Sequence, residues 1–265
     1  MVTVGKVIEV MEQWADPRLK MNNDPIGLQI GSTEQAVTRV LVTLDVLETV
    51  VDEAIVNKVD LIIAHHPLLY MPLTAIDTNH SRGRMIAKLL KHNIAVYAAH
   101  TNLDIANGGV NDMLAASLEL SDVRLLEKTT TLADEVYGIG RIGRLKQPLT
   151  LEQLALTLKK VWQLDGVRFV GLPQKRIETV ALLGGDGNRY IKKAAQSEAD
   201  VLITGDIYYH QAHDAVELDF ALLDAGHTIE KIMIPGVIAK LSATPELASL
   251  VWIAATVSTN PFHYR

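Results

Sequence analysis

The chain has 265 residues, is 48% hydrophobic and 21% charged, carries a formal net charge of −6 and contains no cysteine. That length and apolar content suffice for one large domain, or two smaller joined ones, around a real core. The acidic balance speaks against binding nucleic acid by bulk phosphate neutralisation. The lack of cysteine excludes disulfides, thiolate zinc sites and cysteine nucleophiles.

The opening stretch MVTVGKVIEVMEQWADP reads as an amphipathic helix ending near Pro17. It lacks the basic start, apolar core and small-residue cleavage site of a signal peptide. No apolar run has the length of a bilayer span, so a cytoplasmic location without a membrane partner is expected. VTRVLVTLD (37–45) then reads as a strand, VLETVVDEAIVNK (46–58) as a helix and DLIIAHH (60–66) as a strand. RGRMIAKLLKHN (82–93) is helical and IAVYAAH (94–100) extended. Apolar runs this continuous belong to strands covered on both faces, as in a parallel or mixed α/β sheet.

From 121 to 175 the pattern changes. EVYGIGRIGRL (135–145) alternates with glycines like a bent strand, and VRFVG (167–171) is a short strand. Between them LTLEQLALTLKKVW (149–162) is a helix opened by a capping box at Thr150 and Gln153. Then the first scheme returns: ETVALLGGD (178–186) strand, NRYIKKAAQSEA (188–199) helix, DVLITGD (200–206) strand, QAHDAVEL (211–218) helix and DFALLDAGH (219–227) strand. The expected organisation is a first α/β lobe over 1–120, an ordered bridge over 121–175 and a second α/β lobe over 176–265. The matched endings AAHTNLD and AGHTIE, and ADVLITGD echoing VDLIIAHH, point to an internal duplication, with mixed sheets flanked by helices.

Four of the nine histidines fall at ends of these strands: His65 and His66, His100, and His227. Ligands of open α/β sheets bind beyond the carboxyl ends of the strands, so these residues, drawn from both lobes, point to one shared site. Asp104 follows His100 by four residues and Glu230 follows His227 by three, which in a helix puts acid and imidazole on one face. Imidazole and carboxylate without thiolate suit Zn²⁺, Fe²⁺, Mn²⁺ or Co²⁺. His65, His66, Asp104, His227 and Glu230, with His100 beside them, are more donors than one ion takes, and a bridging carboxylate would join two ions. Pro67 ends the strand after the twin histidines, and a turn there can aim one imidazole at each ion.

His210 and His213, within TGDIYYHQAHDA (204–215), share a helix face. They can act as general acid and base for a bound substrate, contact an anionic group, or form a solvated surface. Asp206, at a strand end, can orient a ligand histidine. The run LGGDGNRY (183–190) is a tight turn, or a backbone cradle for phosphate.

Taken together, IAHHPL, HTNLD, TGDIYYHQAHDA and DAGHTIEK resemble the Nif-three-like family, whose members go by the name GTP cyclohydrolase I type 2 homologs. The resemblance covers nearly the whole chain. It implies two similar lobes around a dinuclear metal centre, with His65, His66, Asp104, His227 and Glu230 as ligands and His100 as a neighbour. It also implies a toroidal homohexamer with its sites facing an internal cavity. The domain that some members carry between the lobes does not fit in the 121–175 bridge. The function expected is a metal-dependent hydrolase of a small substrate, such as a nucleotide, phosphoester or cyclic amide. The alternative is a non-catalytic metal-binding, chaperone or scaffold ring protein.

Overall fold

The computed structural model describes residues 1–264. Among them run eleven strands: β1 (Gly27–Ile30), β2 (Arg39–Thr43), β3 (Leu61–Ala64), β4 (Ala95–Ala98), β5 (Ser121–Leu132), β6 (Glu135–Thr150), β7 (Arg168–Val170), β8 (Arg176–Asp186), β9 (Val201–Gly205), β10 (Ala221–Asp224) and β11 (Val251–Ala254). They form a five-stranded and a six-stranded sheet, each flanked by helices. The chain divides into two compact units, the first made of residues 1–106 and 233–259, the second of 107–232 and the residues from 260 on.

In the first unit the strand order is β1-β4-β3-β2-β11. β11, β2, β3 and β4 are parallel, and β1 closes one edge antiparallel to β4. Every residue of β3 and β4 is buried, as the unbroken apolar runs require. Leu41, Ile62, Ala64 and Val96 pack with Val50, Val51 and Ala54 of helix Glu48–Val56 and with Met85, Ile86 and Leu89 of helix Ser81–Lys91. Burying such side chains contributes about 1.5–3 kcal/mol each. The phenol of Tyr97 on β4 reaches Glu12 of helix Val4–Trp14 at 3.3 Å.

The second unit has the order β5-β6-β8-β9-β10-β7. Here β8, β9 and β10 are parallel, β7 lies antiparallel on β10, and the long β5–β6 hairpin extends the other edge. The segment β1-β4-β3-β2 of the first sheet is thus matched by β7-β10-β9-β8 in the second, strand direction included. A pair of aspartates repeats as well. Asp60 accepts from the backbone N–H of Thr38 and Arg39 at 2.7 and 2.9 Å, and Asp200 accepts from those of Glu178 and Thr179 at 2.8 and 2.9 Å.

Two expectations about organisation need correcting. Residues 121–175 are not a bridge between lobes, because they supply β5, β6 and β7 to the second sheet. Nor does the second unit run on from 176 to the C-terminus, because helix Met233–Ser242 and β11 return to the first unit, where Val251 pairs with Arg39. The capping box at Thr150 is present, with Thr150 N–H donating to Gln153 at 2.9 Å and Gln153 N–H to the Thr150 hydroxyl at 3.2 Å. No described helix is long and apolar enough to cross a membrane.

Candidate metal centre

In the first unit the donors gather where β3 and β4 end. The backbone N–H groups of His65 and His66 donate to the carbonyls of Thr43, the last residue of the adjacent strand β2, and of Leu44 just after it, at 3.2 and 2.9 Å. Successive N–H groups of a regular strand point to opposite sides, so two in a row turned to the same neighbour mark a bend after Ala64, where β3 ends, and the two rings do not part to opposite faces. Their centroids lie 5.0 Å apart, and the His100 ring stands 5.2 and 5.5 Å from them, edge-on to both. Each of the three imidazoles offers a nitrogen within 4.8 Å of the others. Asp104 joins from the short helix Thr101–Ile105, where its N–H donates to the His100 carbonyl at 3.1 Å. That single turn brings its carboxylate to 3.5 Å from Nε2 of His65. His65 is fully buried and Asp104 nearly so.

Each ring is held by its other nitrogen. Nδ1 of His65 donates to the Ala99 carbonyl at 2.8 Å, Nδ1 of His66 to Asp45 at 2.6 Å and Nδ1 of His100 to Asp24 at 2.8 Å. Carbonyl and carboxylate oxygens only accept, so Nδ1 carries a proton, and in the neutral ring the lone pair then sits on Nε2. Asp24 is buried and also accepts from the N–H and hydroxyl of Thr101. Burial alone would raise its pKa, but the bonds from His100 and Thr101 outweigh burial and hold it below the ordinary carboxylate range.

In the second unit His227 and Glu230 open the 3₁₀ turn His227–Ile232 just after β10. Nε2 of His227 is 3.1 Å from Glu230, and its Nδ1 is 2.5 Å from Asp206. Asp206 follows β9 in the left-handed region, at φ 55°. Buried Asp224 fastens the surrounding loops, accepting from the N–H of Gly226 and Ile207 at 3.0 and 3.2 Å and pairing with Arg168. Burial opposes charge on His227, but the bonds to Asp206 and Glu230 prevail and push its pKa up to about 11. An imidazole clasped between two carboxylates marks a place that favours a cation. Gly185, at φ 63°, makes room: a Cβ there would lie 2.7 Å from a Glu230 oxygen and 3.4 Å from Nε2 of His227. The two glycines near the end of β8, Gly184 and Gly185, therefore border this donor pair.

Each unit thus brings together the histidines and acids expected of it: His65, His66, His100 and Asp104 in the first, His227 and Glu230 in the second. Imidazole and carboxylate donors without thiolate, three of the six buried and the other three part-exposed, fit a borderline divalent ion. His210 and His213 lie on helix Tyr209–Glu217, both exposed, with the Tyr209 ring edge-on to them at 5.6 and 4.7 Å. Asp24 and Asp45 were not singled out from the sequence. Asp45 ends the strand-like run VTRVLVTLD, a position of the same kind that drew attention to Asp206.

Comparison with known proteins shows the family and the fold. The model of the Duf34/NIF3 (NGG1p interacting factor 3) family matches residues 2–261. A Streptococcus pneumoniae protein named GTP cyclohydrolase 1 type 2 homolog is 39% identical, with 98% of each chain covered. A Bacillus subtilis protein of the same name is 34% identical, again over 98% of each. Their alignment runs over 365 residues, more than the 265 of this chain, so that relative carries extra sequence absent here. The crystal structure of a Bacillus cereus protein related to NIF3 superposes with a TM-score of 0.95 at 32% identity, covering 99% of each chain.

Proposed function

Because the chain belongs to the Duf34/NIF3 family, we propose that its two donor sets jointly hold a pair of divalent cations and that the protein is a metal-dependent hydrolase. His65, His66, His100 and Asp104 would come from the first unit, His227 and Glu230 from the second. Zn²⁺, Fe²⁺, Mn²⁺ and Co²⁺ all suit such donors. The observation that carries the reading is common to all four histidines: Nδ1 donates to a fixed oxygen, on Ala99, Asp45, Asp24 or Asp206. Ligand histidines are oriented in this way by the partners of their second nitrogen, and a scatter of surface histidines has no reason to share it.

Bound divalent ions supply Lewis acidity and a water made acidic enough to attack near neutral pH. The chain's own part is to hold the imidazoles in one tautomer and to set the carboxylates of Asp104 and Glu230 against them. His210 and His213, exposed to solvent, would exchange protons with water. The relatives' name supports a GTP cyclohydrolase-like substrate, a nucleotide or cyclic amide, with phosphoesters of the same reaction class. The same resemblance supports a homohexameric ring. The matched strand orders and the repeated aspartate caps support an origin of the two units by duplication.

The test is elemental analysis of protein purified without added metal, followed by a metabolite screen. Divalent metal near two ions per chain, and turnover abolished by His66→Ala and Glu230→Ala, are expected. Turnover that survives both substitutions unchanged excludes metal-dependent catalysis at these residues, and stoichiometric metal without turnover on any substrate favours a non-catalytic metal-binding ring.

A further inference from the structure

β11 pairs with β2 in parallel register, and the chain past it keeps to the same unit: the N–H of Ala255 donates to the Val42 carbonyl at 2.9 Å. Glu53 then takes hold of the segment. Its carboxylate accepts from the N–H and hydroxyl of Thr256 at 2.9 and 2.7 Å, and from the N–H of Val257 at 3.4 Å. Three residues beyond Thr256 the run arrives at the end of β2, where the Thr259 hydroxyl donates to Oδ2 of Asp45 at 2.5 Å. The other oxygen of that carboxylate, Oδ1, accepts from Nδ1 of His66 at 2.6 Å.

We propose that Thr259 is a positioning residue for the metal centre, acting through Asp45 on His66. This rests on the reading of His66 as a metal ligand. The aspartate backbone is itself held, because the Thr43 hydroxyl donates to the Asp45 carbonyl at 3.0 Å. The carboxylate remains part-exposed and would turn about its last bond, a broad torsion, if only one oxygen were engaged. With Oδ2 on Thr259 and Oδ1 on His66 its plane is fixed. The imidazole is thereby kept as the Nδ1–H tautomer, with Nε2 aimed away from Asp45. Residues at the far end of the sequence thus set the direction of a lone pair 193 positions earlier (259 − 66).

The experiment compares the full-length chain with Thr259→Val, which keeps shape and loses the hydroxyl, and Thr259→Ser, which keeps the hydroxyl. Two readouts are taken: the imidazole nitrogen shifts of His66 in metal-free protein, and Co²⁺ affinity by chelator competition. Thr259→Val is expected to shift the His66 ring away from a pure Nδ1–H tautomer and to weaken Co²⁺ binding about tenfold, with Thr259→Ser restoring both. Should Thr259→Val not fold, Thr259→Ala carries the same readouts. Ring shifts and affinity unchanged in Thr259→Val overturn the inference, as does a loss that Thr259→Ser fails to repair. If the wild type takes up no Co²⁺, the metal reading falls instead, and the metal-free ring shifts still decide whether Thr259 sets His66.

Discussion

Asp206 accepts from Nδ1 of His227 at 2.5 Å while its own backbone stands in the left-handed region at φ 55°. An L-residue pays about 1–2 kcal/mol for that conformation, and glycine would adopt it freely. The side chain is therefore kept at a cost to stability, which is expected where an oriented ligand matters more than the fold.

Asp206→Gly separates the two effects. Thermal unfolding should show relief of the backbone strain set against loss of the ion pair with His227, while metal affinity by chelator competition should fall about 10- to 100-fold, the usual loss when a histidine's orienting partner is removed. A variant that loses stability without losing metal would overturn this assignment.

Gly185→Ala tests the room beside Glu230. A methyl at 2.7 Å from the carboxylate oxygen, on a residue at φ 63°, is expected to destabilise by about 1–2 kcal/mol and to displace Glu230. Gly184 has an ordinary φ, and a Cβ there would meet Glu230 only at 3.2 Å, so Gly184→Ala should be milder. Denaturant melts and metal titrations of the two variants, side by side, give the comparison.

Acid should act through Asp24. Its native pKa is lowered, so it contributes stability that is complete above the unfolded value near ~3.9 and is lost as the pH falls through the native value. Asp24→Asn removes that titration. In pH-dependent denaturant melts of metal-free protein, the advantage of wild type over Asp24→Asn should be constant near neutrality and shrink below about pH 4. An advantage that grows on acidification would contradict the sign.

His210→Asn and His213→Asn should leave metal content and melting temperature close to wild type, since surface changes away from caps and cores cost within about 0.5 kcal/mol. If either residue carries the proton, turnover on the substrate found by screening should drop about 10²- to 10⁴-fold. An undiminished rate in the double variant removes both from the reaction.

The parts of the site that sequence reveals are those set by local rules. The runs ending at His66 and His100 are unbroken apolar strands, and the acid spacings after His100 and His227 close within one helical turn. The carboxylates that orient the rings obey no such rule. Asp24 meets His100 across 76 residues and Asp45 meets His66 across 21, and only folded loops create those contacts. The same distinction explains the misplaced boundaries. β5 is largely exposed, and charges interrupt its alternation. β11 has four residues, and its partner lies more than two hundred positions away.

The interleaving of the two units sets an order of assembly during synthesis. The sheet of the second unit has all its strands once Asp224 is made, whereas that of the first lacks its edge partner for β2 until Val251–Ala254 emerges. Chains grow from the N-terminus at about 5–20 residues per second, so the half that begins first on the ribosome is the last to be finished. Release of a nascent chain some two dozen residues early would leave a second sheet with all its strands and a first one open at β2.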